Sequence, residues 1–241
     1  MDYGCAVVTG AAGGIGRALA VRLAGTGTRL VLADARAEPL AAVAAELEAT
    51  AVPTDVSDLA AVQALADAAL DAELICLNAG IVGALGAPWD ISKADWDAVF
   101  AVNVGGVLNG LRAFVPRLLA SGRPAHILIT ASLAGLAGFG GIGAYGPSKH
   151  TVVAIAEQAA LALVDTAITV TVLCPSLVRT GMSEIGDDPL DVADAALAAT
   201  QRGQFVLTPQ EWHGAIIRRA ERLVSGEQPR SAMPVRPARG D

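Results

Sequence analysis

With 241 residues, 53% of them hydrophobic and 17% charged, the chain holds enough apolar material for one large buried core. Seventeen basic against 24 acidic residues leave a net charge of −7, and no lysine-rich or arginine-rich block stands out, which argues against a nucleic-acid surface. Charges interrupt the alanine-rich apolar segments before a spanning length is reached, so no membrane span is expected.

The start, Met1-Asp2-Tyr3-Gly4, places no basic region ahead of an apolar stretch, and a signal peptide is not expected. Short β-rich runs then alternate with alanine-rich helical stretches. Strands are predicted over 5–9, 29–33, 50–52, 74–77, 126–130, 168–174 and 204–207; helices over 15–24, 38–48, 58–70, 93–120, 147–164, 189–202 and 209–224. Most strand runs are continuously apolar, the pattern of a parallel sheet covered on both faces. Ser57, Ser92 and Thr208 stand where N-caps belong, and Pro147 and Pro209 suit first-turn positions. The repeated strand–helix order predicts an α/β fold: a doubly wound, Rossmann-like parallel sheet of about seven strands with helices on both faces. No linker divides residues 1–225, which are expected to form a single domain, and the proline-containing tail over 226–241 reads as extended or disordered. Cys5, Cys76 and Cys174 each fall in an apolar run without metal-ligand spacing. An odd number of such thiols reads as reduced and core-packed, hence a cytoplasmic protein with no bound metal.

Directly after the first strand, Thr9-Gly10-Ala11-Ala12-Gly13-Gly14-Ile15-Gly16 opens a helix. Gly10 permits a tight turn, while Gly14 and Gly16 let a pyrophosphate and the helix approach the backbone; the helix start favours negative charge. The spacing differs from G-x-G-x-x-G, and no lysine followed by Ser or Thr closes it as an ATP-type loop. Asp34 ends the second strand, 18 residues beyond Gly16, where a carboxylate can accept hydrogen bonds from a ribose diol and repel a 2′-phosphate. Arg36 argues for NADP, but Gly13 stands before Gly14 where a basic residue would be wanted, so NAD is favoured.

Two tyrosines and two lysines occur in the chain, and Tyr145 and Lys149 lie four residues apart. On a helix they share one face. A free phenol has a pKa near 10, and a neighbouring ammonium is expected to lower it.

Together these residues resemble the short-chain dehydrogenase/reductase family in its single-domain branch, from Cys5 to about Leu223. The resemblance implies cofactor contacts at Gly10, Gly14, Ile15 and Gly16. It implies adenine contacts at Asp55 and Val56, a segment against the cofactor at Asn78-Ala79-Gly80, and nicotinamide carboxamide contacts at Pro175, Val178 and Thr180. It also implies a catalytic set of Asn103, Ser132, Tyr145 and Lys149, with Ser132 standing 13 residues before Tyr145. Two positions depart from the family pattern: Leu77 precedes Asn78 where a second asparagine is common, and Ser176 follows Pro175 where glycine is common.

What the resemblance implies is hydride transfer between a secondary alcohol and its ketone. Tyr145 would move the proton, Ser132 would bond the substrate oxygen, Lys149 would lower the phenol pKa and bind ribose hydroxyls, and Asn103 would hold a water leading to Lys149. Ser132, Ala134, Ile142, Tyr145, Leu177 and Met182 are candidate substrate contacts, with Leu136, Phe139 and Ile185 nearby. No charged residue lies between Ser132 and Tyr145, so an apolar or aromatic small-molecule substrate is expected. An NADH-dependent biosynthetic ketoreductase and a catalytically silent NAD-sensing protein are the alternatives. The family further implies a homodimer or homotetramer, with Ala154, Ala156, Ala159, Ala160 and Ala162 allowing close helix approach.

Overall fold

The computed structural model describes residues 3–232. Its strands are β1 (Cys5–Thr9), β2 (Arg29–Asp34), β3 (Thr50–Pro53), β4 (Leu74–Leu77), β5 (Ala125–Thr130), β6 (Ile168–Leu173) and β7 (Val206–Leu207). They form one seven-stranded sheet in the order β3-β2-β1-β4-β5-β6-β7, parallel throughout. Parallel neighbours need long crossovers. These contain α1 (Gly14–Ala24), α2 (Ala37–Glu46), α3 (Leu59–Asp67), α4 (Lys93–Phe100), α5 (Gly106–Ser121), α6 (Tyr145–Ala162) and α7 (Pro189–Gln201), and α8 (His213–Ser225) follows β7.

Successive residues of a strand face opposite sides of the sheet, so a continuously apolar strand feeds two cores. Val7, Val31, Ile75, Ile127 and Val172 pack beneath Leu65 of α3, Phe114 of α5 and Val152 of α6. Val8, Leu32, Cys76, Leu128 and Leu173 pack on the other face with Leu19 of α1, Leu40 of α2 and Ala196 of α7. The three cysteines are free and buried within these layers.

Several boundaries differ from the sequence reading. Asp58, not Ser57, caps α3, because its carboxylate accepts from Ala60 N at 2.8 Å; Ser57 instead donates from both N and Oγ to Asp55 Oδ1. Ser92 does cap α4. Thr208 caps nothing: its hydroxyl is buried without a partner among the described residues, and the chain makes a short 3₁₀ turn (Gln210–Trp212) before α8. On α6, Ala156 lies in the chain's own core and Ala159 and Ala160 pack against it, so only Ala154 and Ala162 of the alanines assigned to an interface stay exposed. Residues 227–232 carry no regular structure, and the remainder of the tail falls outside the described residues.

The expectation that charges cut every apolar stretch short fails at Lys93–Ser121. Here α4, a π-helical turn (Ala101–Gly105) and α5 run on as one helix long and apolar enough to cross a membrane by composition. Half of that apolar window is buried inside the protein, where Val107, Ala113, Phe114 and Leu118 meet the sheet and α3. The apolarity therefore serves the core.

One buried polar group ties β5 to β6. His126 Nε2 lies 2.9 Å from Thr171 Oγ1 and Nδ1 lies 2.5 Å from Thr169 Oγ1, and burial pushes the imidazole down to about 4. An unfolded histidine takes its proton near 6.5. The folded state thus gains stability from neutral His126 above that pH and loses it as pH falls from 6.5 to 4, a loss on the order of 3 kcal/mol. Thermal unfolding followed across this window should show a steep decline for the native chain and a shallower one for His126→Gln. Parallel declines would contradict the assignment.

Candidate active site

Between β1 and β4 the strand order reverses, leaving at the carboxyl ends a crevice in which open α/β sheets bind ligands. Side chains hold this rim together. Thr9 Oγ1 donates to Cys76 O (3.2 Å) and accepts from Asn78 N (2.9 Å) and Ala79 N (3.1 Å). Asn78 Nδ2 donates to Thr9 O (3.0 Å), and Thr130 Oγ1 donates to Asn78 Oδ1 (3.0 Å). Thr9, Asn78 and Thr130 thereby link three strand ends. The close approach explains two glycines. Gly10 takes φ +68°, and a methyl there would lie 2.9 Å from Ala79 Cα; one at Gly16 would lie 2.2 Å from Gly10 O.

The start of α1 is left open: no side chain caps it and no acidic residue sits in its first turn. Its unpaired N–H groups fit a phosphate-bearing ligand. Asp34, at the end of β2, is buried and accepts from Ala12 N (3.1 Å), Arg36 N (3.0 Å) and Arg36 Nε (3.1 Å). Burial alone would raise its carboxyl, but the Arg36 and Ala12 hydrogen bonds outweigh that and hold it below its ordinary value. The Arg36 guanidinium lies on the Asp34 carboxylate, an arrangement the sequence reading did not anticipate. Asp55 is exposed and turned onto Ser57, while Val56 is buried against Gly106 of α5.

The chain after β6 returns to the glycine turn. Pro175 O accepts from Leu133 N (2.8 Å), Val178 is buried and bridges to Asp187, and the Thr180 methyl would touch a methyl placed on Gly14 at 3.0 Å. Thr180 and Ser183 form a tight turn, and Arg179 pairs with Asp188 at 3.0 Å.

On the other side of the crevice, α6 begins at Tyr145 and places Lys149 one turn along, with Nζ 5.7 Å from the Tyr145 ring centroid. Lys149 is 4% exposed, and its Nζ donates to Thr130 O at 3.0 Å. Ser132 follows β5, caps a 3₁₀ turn by accepting from Ala134 N (3.1 Å) and stands near enough to the Tyr145 phenol to act on it. Asn103 sits in the π-helical turn, a local irregularity frequent at functional sites. Its Oδ1 accepts from Ile81 N (2.8 Å), and its Nδ2 donates to Ile81 O (2.9 Å) and Ser148 Oγ (3.0 Å). A methyl added at Gly80 would lie 3.1 Å from Asn103 Oδ1 and 3.3 Å from Lys149 Nζ, so these three residues converge.

The electrostatics correct one expectation. Burial pushes the Tyr145 phenol above its ordinary value, and the nearby Ser132 side chain pulls the other way. Burial also drops the Lys149 amine to about 8. The lysine therefore loses its proton before the phenol does, and within the chain alone its charge does not lower the phenol. Its Nζ hydrogen bond goes to Thr130 O instead.

Of the substrate candidates, Ala134 is buried in the 3₁₀ turn and Ile142 is half-buried in a bridge to Gly86. Leu177, Met182 and Ile185 are exposed on the loop after β6. Phe139 meets Trp212 edge-on, bringing the approach to α8 against the Ser132–Tyr145 segment. Sequence reading named Thr9 only as the first residue of the glycine motif and missed Thr130, Ser148 and Trp212. Thr9 ends a strand beside the topological reversal, which was the available signal for its role.

Comparison with known proteins shows the family of the chain. A family model for short chain dehydrogenases matches residues 4–189. A 1-deoxy-11-beta-hydroxypentalenate dehydrogenase of Streptomyces avermitilis is 45% identical over 188 residues, 74% of this chain and 70% of that one. The 3beta-hydroxysteroid dehydrogenase 2 of Eggerthella lenta is 32% identical over 219 residues, 86% and 83% of the two chains. A short-chain dehydrogenase/reductase from Burkholderia phymatum, solved in complex with NAD, superposes with a TM-score of 0.90 at 34% identity, covering 97% of this chain and 99% of the other.

Proposed function

Because the chain belongs to the short-chain dehydrogenase family, we propose that it interconverts an apolar secondary alcohol and its ketone with NAD, using Tyr145 as acid and base. The observation that carries this reading is the convergence of Tyr145, Lys149, Ser132 and Asn103 on the crevice beside an uncapped glycine-rich helix start.

Bound along β1, β2 and β4, oxidised NAD supplies the hydride acceptor and a positive ring. Gly10, Gly14, Ile15 and Gly16 make room for its pyrophosphate, and Asp34 accepts from the adenosine ribose. Asp55 and Val56 border the adenine, and Asn78, Ala79 and Gly80 lie along the dinucleotide. Pro175, Val178 and Thr180 hold the carboxamide. Ser132 orients the substrate oxygen, and Tyr145 removes its proton in oxidation or returns one in reduction. Lys149, titrating at about 8, passes that proton onward through Asn103 and a bound water. The low Asp34 pKa and the NAD complex of the Burkholderia structure support NAD over NADP; Arg36, folded onto Asp34, stands as the counter-argument.

Ala134, Ile142, Leu177 and Met182 give the substrate an apolar surround. The relatives' pentalenate and hydroxysteroid names support a polycyclic alcohol, and their naming as dehydrogenases supports oxidation as the working direction. Three free buried thiols support a cytoplasmic setting. We further propose a homodimer or homotetramer paired through α4, α5 and α6, where Leu119 and Leu161 are exposed.

Absorbance of reduced nicotinamide, followed against a panel of polycyclic secondary alcohols and ketones, tests the reaction. Tyr145→Phe should lower kcat by about two to four orders of magnitude while leaving NAD binding intact. Loss of NAD binding would make Tyr145 a structural residue. Asp34→Ala should weaken NAD by about 10- to 100-fold and NADP less, since a charged hydrogen bond is removed; an unchanged NAD preference would remove the cofactor assignment.

A further inference from the structure

Thirteen arginines fall among the described residues, and nine of them spend their guanidinium on a neighbour. Arg17, Arg22, Arg29, Arg36, Arg117, Arg123 and Arg179 pair with carboxylates, and Arg112 and Arg202 bond Asn109 and Gln204. Arg218, Arg219, Arg222 and Arg230 are the remainder. None makes a side-chain hydrogen bond or ion pair among the described residues. All four line one cavity of about 50 Å³, together with Gly138 and Ser231.

On α8, Ile217, Leu223 and Val224 are 57%, 67% and 91% exposed, while Ala215, Ile216, Arg219 and Arg222 are half-buried against the chain and Arg218 is exposed. The segment over 230–232 closes the cavity, with Ala232 N donating to Gly138 O at 2.7 Å. Glu221 and Glu227 line an adjoining cavity with Arg218 and Arg222, and among the described residues they form no ion pair with them. Four cations gathered around one space repel one another, and withdrawing Arg219 and Arg222 partly from water without a counter-charge is unfavourable, while Arg218 and Arg230 stay exposed at its edge. In a chain of net charge −7, acidic partners were plentiful elsewhere.

We propose that this cavity is an oxyanion site, taking a carboxylate or a phosphate group. Planar guanidinium forks match both, and the volume suits one compact group. The site lies outside the hydride-transfer set. It reaches the Ser132–Tyr145 segment at Gly138, giving that uncharged wall a cationic neighbour from α8 and the tail. The anion is either free in solution or the acid group of a substrate.

Thermal unfolding in inorganic phosphate, acetate and chloride at matched ionic strength tests the site without reference to activity. Phosphate or acetate should raise Tm by about 5 °C beyond chloride in the native chain. The rise should vanish in Arg219→Gln/Arg222→Gln and shrink in Arg230→Gln, which lies off the helix. In chloride the double variant should unfold no earlier than the native chain, because like charges have been removed. Tyr145→Phe should respond as the native chain does, which separates this test from the proposed reaction. A second arm compares kcat/KM for a carboxylated secondary alcohol and its methyl ester. A fall of about tenfold in that ratio in the double variant identifies the substrate's acid as the anion; an unchanged ratio with the phosphate response intact identifies a free anion. No response beyond chloride in the native chain together with an unchanged ratio overturns the proposal, as does an equal response in all variants.

Discussion

A lysine amine held almost out of water, bonded to a backbone carbonyl and, among the described residues, to no carboxylate, is the constraint around which this crevice is built. Burying an ammonium without a partner charge is costly, and the protein responds by lowering the proton affinity of Lys149 to about 8. The bond that fixes the amine ends on Thr130 O, and the hydroxyl of the same residue bonds Asn78 Oδ1. Asn78 in turn meets Thr9, which closes on Cys76. The catalytic helix and the strand ends that shape the cofactor crevice are thus one hydrogen-bonded unit. Displacing α6 would disturb Thr130, and through it the backbone at residues 78–80.

A second set of bonds holds the same helix from the other side. Ser148 Oγ donates to Tyr145 O (2.7 Å) and accepts from Asn103, whose remaining bonds grip Ile81. The π-helical turn swings Asn103 inward from a helix otherwise committed to the core. That turn interrupts regular α-helical bonding in the long Lys93–Ser121 helix, and its position coincides with the one residue of that helix that serves the site. Fold stability and site geometry meet at this point.

The sheet was legible because its strands are apolar on both faces: runs such as Ala6-Val7-Val8 and Ile127-Leu128-Ile129 leave few alternatives to a covered parallel sheet. Gly10 and Gly16 were legible because close backbone approach admits no other residue. Less could be read where a polar side chain had two uses. Ser57 and Asp58 compete for one cap, and the choice fell to whichever oxygen Asp55 left available. The Lys93–Ser121 segment has the same composition whether it meets lipid or its own sheet. The order of titration at Tyr145 and Lys149 depends on how deeply each lies, which spacing along a helix does not encode. Arg219 and Arg222 of α8 turning against the chain beside Gly138 likewise follows from neighbours distant in sequence.

The most direct test is a nuclear magnetic resonance titration of isotope-labelled lysine in Lys93→Arg protein, where Lys149 is the sole lysine. The account predicts a midpoint at about 8 for its amine. A midpoint at the ordinary lysine value of 10.5 would mean that the amine is hydrated or charge-paired, and the account of the crevice would fail.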